Sequence, residues 1–371
     1  MTECLPRTAY AELLLGETPM IDLRAPVEFT KGAFPGAVNL PLMNDEERAA
    51  VGTCYKEQGQ EAAIALGHER VGGAVKQARV DAWLAQVEAH PDSVLYCFRG
   101  GMRSQISQRW LAEAGIQRPY IEGGYKGMRS FLIEQSDQMA ENPGMVIVAG
   151  MTGSGKTDFL VPRNDAVDLE GLAHHRGSSF GRQLIPQPSQ INFENRLAIA
   201  LMQHRRRARQ LVLEDESRLI GRTSLPIPLF DAMKAAPRVI LEVTTEERIE
   251  QILKDYVVEI HAAFVERDGT EAGGEGFCEF LLASLDRIQR RLGNERHQAL
   301  RQLMTSALSQ QLQQGELTLH REWIAQLLSE YYDPMYHFQM GKQPAPVLYR
   351  GPKSEVREFL DQREATLSAG W

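Results

Sequence analysis

One cysteine in this chain stands in a setting suited to nucleophilic chemistry. The segment Tyr96-Cys97-Phe98-Arg99-Gly100-Gly101-Met102-Arg103-Ser104 takes it off the end of an apolar run, across a glycine-containing loop, to an arginine at the start of a helical pattern. Glycines let successive backbone N–H groups turn inward as an anion cradle. The positive end of the following helix aims at the same point. Arg103 and Arg99 add charge. Such a setting favours the thiolate, which is the nucleophilic form. A thiolate in an anion cradle can attack an electrophile carried by an anionic leaving group, so sulfur, selenium and phosphoryl donors all qualify. Cys97 and Arg103 are therefore the catalytic candidates, and Phe98, Arg99, Gly100, Gly101 and Met102 form the active loop between them. Cys4, Cys54 and Cys278 have no such setting and read as structural.

A second constellation is built to hold phosphate. Gly150-Met151-Thr152-Gly153-Ser154-Gly155-Lys156-Thr157 matches G-x4-G-K-[ST] in full and follows an apolar strand, as the motif requires. The backbone of Gly150, Gly153, Ser154 and Gly155 would wrap phosphate oxygens. Lys156 would reach the terminal phosphates, and Thr157 would ligate Mg²⁺. A strand ending in acids is where such proteins hold the metal, and Leu211-Val212-Leu213-Glu214-Asp215-Glu216 fits. Asp215 is the first choice and Glu214 the second. Pro162 lies five residues after Thr157, so the helix after the loop must be short or broken. No base-recognition motif is evident. The loop reads a diphosphate, which an allylic diphosphate supplies as well as ATP does. The adjacent His174, His175 and Arg176, between Gly171 and Gly177, read either as a polar loop or as a cationic loop for phosphate or RNA backbone.

The elements that must position these residues alternate. Residues 9–17 read as a helix, 19–23 as a strand, 32–42 as turn then extended chain, 74–89 as a helix, 93–96 as a strand and 103–115 as a helix stopped by Gly115. Strands and helices in alternation imply a parallel sheet. The polar run 135–144 is the best boundary, giving domains 1–137 and 138–371. Strands follow at 145–149, 211–213 and 239–243. Residues 246–340 are largely helical, 347–349 return as a strand, and 354–366 form a final helix. The fold class is α/β twice over, a parallel-sheet domain followed by a P-loop NTPase-like α/β domain with a helical C-terminal extension.

The 371 residues are enough for two cores, and 43% hydrophobic with 24% charged residues is ordinary for a globular chain. Apolar runs are far below the ~18 residues of a membrane span. With no leader-like stretch at the start, the reading is a cytoplasmic protein with no membrane partner. No C-x-x-C pair suggests zinc. The net charge of −8 counts against nucleic-acid binding over the whole surface, yet a basic stripe can sit on an acidic protein. Two candidate sets are Arg205, Arg206, Arg207 and Arg209, and Arg287, Arg290, Arg291 and Arg296. Each alone reads better as a solvated helix face.

Asp22-Leu23-Arg24-Ala25-Pro26-Val27-Glu28-Phe29 and Gly36-Ala37-Val38-Asn39-Leu40-Pro41 resemble the opening of a rhodanese, and Cys97 with its Gly-Gly-x-Arg-Ser resembles the rhodanese active loop. The C-x5-R spacing is one residue wider than in common single-domain rhodaneses and is similar to that of the related cell-division phosphatases. Asp168-Leu-Glu-Gly-Leu-Ala-His174-His175-Arg176, Glu214-Asp215-Glu216-Ser217-Arg218 and Glu330-Tyr-Tyr-Asp-Pro-Met-Tyr336 follow. With the two loops, in this order, they resemble the tRNA 2-selenouridine synthase family over essentially the whole chain.

That resemblance implies a tRNA-modifying transferase acting on wobble 2-thiouridine. A geranyl group from geranyl diphosphate is first placed on the sulfur, and selenium from selenophosphate then displaces the S-geranyl group. Lys156 and Mg²⁺ on Thr157 and Asp215 would serve the diphosphate, and Cys97 would accept selenium. His174, His175, Arg176 and Arg218 become substrate or RNA candidates. No tightly bound cofactor is implied. tRNA is the expected partner, with the selenophosphate-supplying enzyme as a second. Whether ATP binds stays open, as do two other readings: a phosphatase–kinase fusion, and a P-loop ATPase gating a binding module.

Overall fold

The computed structural model describes residues 3–341 and 345–369. Its chain divides into two compact units, one of residues 1–136 with 189–203, the other of 137–188 with 204–371.

The first unit is a five-stranded parallel sheet. Strands β1 (Cys4–Leu5), β2 (Met20–Asp22), β3 (Ala37–Asn39), β4 (Val94–Tyr96) and β5 (Tyr120–Ile121) lie in the order β1-β5-β4-β2-β3. Its helices are α1 (Tyr10–Leu15), α2 (Pro26–Lys31), α3 (Asp45–Gln58), α4 (Gln60–Arg70), α5 (Gly73–Ala89), α6 (Met102–Glu113) and α7 (Gly124–Ala140). Every residue of β2 and β4 is buried, as expected of parallel strands covered on both faces. Asp22 pairs with Tyr96 across these strands, so the loops after β2 and after β4 leave the sheet side by side at its carboxyl end. One face is closed by Trp83 and Trp110, stacked at 6.2 Å. Asn44 caps α3 by accepting from Glu47 N–H at 2.8 Å while the Glu47 carboxylate answers Asn44 N–H, and Gly59 at φ +87° turns α3 into α4.

The second unit carries β6 (Met145–Gly150), α8 (Lys156–Leu160), α9 (Leu169–Ala173), the end of α10 (Gln190–Arg207), β7 (Leu211–Glu214), a small hairpin of β8 (Leu219–Ile220) and β9 (Thr223–Ser224), α11 (Ile227–Ala235) and β10 (Arg238–Leu241). A helical region follows: α12 (Thr245–Ile252), α13 (Glu259–Asp268), α14 (Thr270–Asp286), α15 (Gln289–Leu292), α16 (Asn294–Gln314), α17 (Thr318–Leu327) and α18 (Asp333–Met340), with π-helical turns at Leu253–Val258 and Leu328–Tyr332. Then come β11 (Val347–Gly351) and α19 (Lys353–Ala369). The main sheet is parallel, in the order β11-β10-β6-β7. The helical region has its own core around Trp323, Phe277 and Met304, into which Phe180 reaches from the chain before α10. Tyr332 is buried there too.

Two expectations change. The polar run 135–144 does not break the chain throughout: α7 continues to Ala140, because Ser136 and Met139 give that stretch a buried face and only Asn142-Pro143-Gly144 ends it. Residues 189–203, placed by the sequence with everything after 138, pack with the first unit. There Ala198, Ile199 and Met202 share a core with Met20, Phe34 and Met128, and Asn195 donates from Nδ2 to Ala33 O at 2.9 Å. The helix after the phosphate loop is five residues long, as Pro162 requires.

Candidate functional site

Cys97 leaves β4 nearly buried, at 3% exposure, and opens on a cavity of about 840 Å³ whose walls include the loop residues Phe98, Arg99, Gly101, Met102 and Arg103. The loop is held by backbone. Cys97 O accepts from Tyr125 N–H at 2.8 Å and Phe98 O from Lys126 N–H at 3.0 Å. Gly100 and Gly124 have φ of +63° and +55°, and a side chain on either would collide with the facing loop: Gly100 with Ile121 O, Gly124 with Cys97 O. Gly101 caps α6 and has no side chain to answer the helix's first amides, which leaves them for an anion. Arg24, Lys31, Arg48, Arg99 and Arg103 line the same cavity against one carboxylate, Glu28. The sum is an electropositive pocket around a cysteine.

Arg24 and Arg103 are both fixed. Arg24 is buried, forks onto Asp22 with its Nη2 at 2.6 Å, and lies over the Tyr125 ring at 3.8 Å. Arg103 spends Nη1 and Nη2 on Glu28, at 2.7 and 3.3 Å. Glu28 has no assigned role in the sequence pattern alone. Its place at the third position of α2, where it also accepts from Ala25 N–H at 3.2 Å, is the signal that could have found it. Burial raises the Glu28 pKa, but the hydrogen bonds and charge of Arg103 outweigh that and hold it below the ordinary value of 4.5. A depressed carboxyl contributes stability that is complete above its unfolded value and is lost as pH falls toward the folded one. Glu28→Gln is therefore expected to cost about 1–3 kcal/mol between pH 6 and 8. The gap to the parent should narrow below about pH 4.5. Urea unfolding at several pH values checks this; a gap independent of pH would mean the charge is not what holds Arg103.

In the second unit, Gly150 ends β6 and the phosphate loop crosses to α8. Gly153 and Gly155 take φ of +81° and +69°. Lys156 Nζ donates to Gly150 O at 3.2 Å, and Ser154 is buried in the turn. Lys353, at the start of α19, was not foreseen; its Nζ lies so near Gly155 that a Cβ there would sit 2.6 Å from it. The loop thus has two ammonium groups beside it.

The acids divide differently from expectation. Asp215, the first choice, turns its carboxylate to the buried Arg238 at 2.8 Å. Thr157 Oγ1 instead donates to Glu170 Oε2 at 3.1 Å, and Glu170 N–H donates to Glu214 Oε1 at 2.8 Å. Glu214 pairs with Val148 of the loop-bearing strand and is completely buried. Burial first, then the charges of Glu170 and Glu216, push its pKa well above the ordinary range. Glu216 is raised in the same way, by burial and then by Glu170, with which it shares a hydrogen bond. Among the described residues no group of three or more His, Cys, Asp and Glu is arranged to hold a metal unaided. The Thr157–Glu170 pair nonetheless fits Mg²⁺, a hard cation that takes oxygen ligands and draws the rest from phosphate and water.

The basic loop is not free. Arg176 pairs with Asp255 at 2.8 Å and with Glu259 at 3.3 Å. His175 is buried, and burial with the nearby Arg182 and Arg287 lowers its pKa, so it sits neutral. His174 takes the left-handed conformation that ends α9 and meets Pro186 O through Nδ1 at 3.1 Å. Of the two readings left open, polar loop or cationic loop, the structure shows a loop whose one arginine is ion-paired within the unit. Arg218, by contrast, is exposed, as are Arg205, Arg206, Arg207 and Arg209. Among the described residues no helix is long and apolar enough to cross a membrane.

Residues 7–130 match the rhodanese-like domain family, and residues 143–367 match the family described as tRNA 2-selenouridine synthase AAA domain. Proteins named tRNA 2-selenouridine synthase from Shewanella loihica, Shewanella sediminis and Shewanella woodyi are 55%, 52% and 53% identical. The matches cover 98% of both chains for the first, and 96% of this chain and 97% of the relative for the other two. A solved N-terminal domain of a putative ATP/GTP binding protein from Clostridium difficile 630 is 30% identical, covers 35% of this chain and 99% of its own, and superposes with a TM-score of 0.31. The chain belongs to the tRNA 2-selenouridine synthase family of tRNA-modifying transferases.

Proposed function

We propose that this enzyme converts the wobble 2-thiouridine of tRNA to 2-selenouridine in two steps, one at each loop. In the first, the thiocarbonyl sulfur attacks C1 of geranyl diphosphate. The C1–O bond breaks and diphosphate leaves with the electron pair. Lys156 and the loop amides stabilise the charge that develops, and Lys353 stands close enough to share it. Mg²⁺, when bound by Thr157 and Glu170, supplies further neutralisation of the diphosphate. In the second step selenium forms a bond to C2 and the C2–S bond breaks. Alkylated sulfur leaves more readily than a thiocarbonyl sulfur would.

The observation that carries this reading is Cys97, recessed at an electropositive cavity large enough for a nucleobase. It suits an anionic selenium donor such as selenophosphate. The phosphatase alternative shares this cavity and is separated by the assay, since it expects hydrolysis of a phosphate ester with no RNA present. The test uses a 2-thiouridine anticodon stem-loop with Mg²⁺ and reads nucleosides by mass spectrometry. Geranyl diphosphate alone should give the S-geranyl nucleoside, adding selenophosphate should give selenouridine, and selenophosphate alone should give neither. An RNA unchanged under every condition sinks the reading. The phosphorus product, with a thiol such as dithiothreitol present, then separates two routes. A Cys97 thiolate that takes selenium directly from selenophosphate releases phosphite, and the C2–Se–S–Cys97 adduct it goes on to form is cleaved by the added thiol, which is oxidised to its disulfide. Selenophosphate that attacks C2 itself releases phosphate on Se–P hydrolysis and needs no thiol.

A further inference from the structure

Beside the cysteine cavity lies a second one, of about 350 Å³, between α3, α4 and the start of α6. Its character is different. Leu42, Val51, Ala63, Ile64, Val71 and Trp110 make it an apolar slot. Its volume is within the range of ligand pockets, ~300–1,000 Å³. Tyr55, Met102 and Arg103 line both cavities, so the two adjoin across these side chains beside the loop that carries Cys97. At that junction Tyr55 is 58% exposed and Met102 40% exposed, a large apolar surface to leave in water unless something passes over it.

We propose that this slot holds the allylic hydrocarbon chain of the S-alkylated nucleoside while selenium replaces its sulfur. The inference rests on the two-step function above and deepens it, since the first product carries its chain on the atom that must leave in the second step. With C2 in the electropositive cavity, the sulfur substituent points along the shared wall into the slot. The selenium of selenophosphate brings the electron pair that forms C2–Se, and water then cleaves the Se–P bond, releasing phosphate. The C2–S pair departs with sulfur, which takes a proton, and the chain leaves as the allylic thiol. The slot makes the alkyl group a recognition element as well as a leaving group, and it keeps an unalkylated 2-thiouridine from being held equally well.

Two measurements test this with the full-length protein, starting from stem-loops already S-alkylated, with selenophosphate supplied. S-allyl and S-geranyl substrates share the same leaving-group chemistry and differ in chain length. The native enzyme should prefer S-geranyl by about a hundred-fold in kcat/KM, since each buried methylene contributes discrimination. Ile64→Trp, which fills the slot and touches neither loop, should erase that preference by slowing the S-geranyl substrate while leaving S-allyl unchanged. The S-allyl rate reports that the variant is folded, and circular dichroism checks the same. If native enzyme converts both substrates equally, or if the filled slot leaves the preference intact, the slot is not the chain site although the two-step function stands. If native enzyme selenates neither substrate, both fall.

Discussion

Cys97→Ser should lose selenium transfer by at least about 10³-fold, the scale of deleting a nucleophile that acts within a unit, and should accumulate the S-geranyl nucleoside. The substitution changes one atom in a buried position, so the loop should keep its shape. Tyr125 still donates to the carbonyl of residue 97, and Gly100 and Gly124 still permit the turn. What changes is chemistry. A hydroxyl at neutral pH is neither a competent nucleophile toward selenium nor able to carry it. The first step, at the other loop, should proceed at the parent rate. A variant that still makes selenouridine within ten-fold of the parent would show that the cysteine shapes the cavity and nothing more.

Lys156→Ala should do the converse. Removing an ammonium that meets charge developing on a leaving diphosphate costs about 10²–10³-fold in rate, or roughly 3–4 kcal/mol. The effect has a second source here. Lys156 lowers the pKa of both Glu170 and Glu216, so its loss leaves that acidic cluster less compensated just where an anion must bind. Geranylation should fall, and its saturation should shift to higher geranyl diphosphate concentration. A stem-loop geranylated beforehand should be selenated normally. Equal loss in both reactions would count against assigning one step to each loop, and an unaffected first step would remove the phosphate loop from the chemistry.

The two loops were legible in the sequence because their chemistry is local. Backbone amides, glycines and the charged residue of each lie within eight or nine consecutive positions, and a strand before with a helix after is readable from periodicity. Glu170 carries no such local signal, since it sits thirteen residues beyond Thr157 on a five-residue helix and meets it only through the fold. Asp215 was preferred over it because a strand-end acid is a sequence pattern, whereas its partner Arg238 belongs to another strand. The choice between a polar and a cationic loop at 174–176 stayed open in the sequence for a like reason: Asp255 and Glu259, which pair with Arg176, lie some eighty residues away. The apolar slot had no sequence signal: residues 43–73 show no clear periodicity, and the two helices they form bury only Cys54 and Ala63, one residue each.

The helix segment 189–203 has a consequence for how the protein is made. A chain emerging from the ribosome completes all five strands of the first sheet by Ile121, yet the segment that covers Met20 and Phe34 comes only after most of the phosphate-binding loop region has been synthesised. Residues 137–203 must be added first, which at about 5–20 residues per second leaves an interval of roughly 3–13 s. During that time an apolar face of the first unit waits for its own lid. A nascent chain of this kind is a client for holding factors, and truncation at residue 136 should yield a sticky fragment instead of a free-standing cysteine domain.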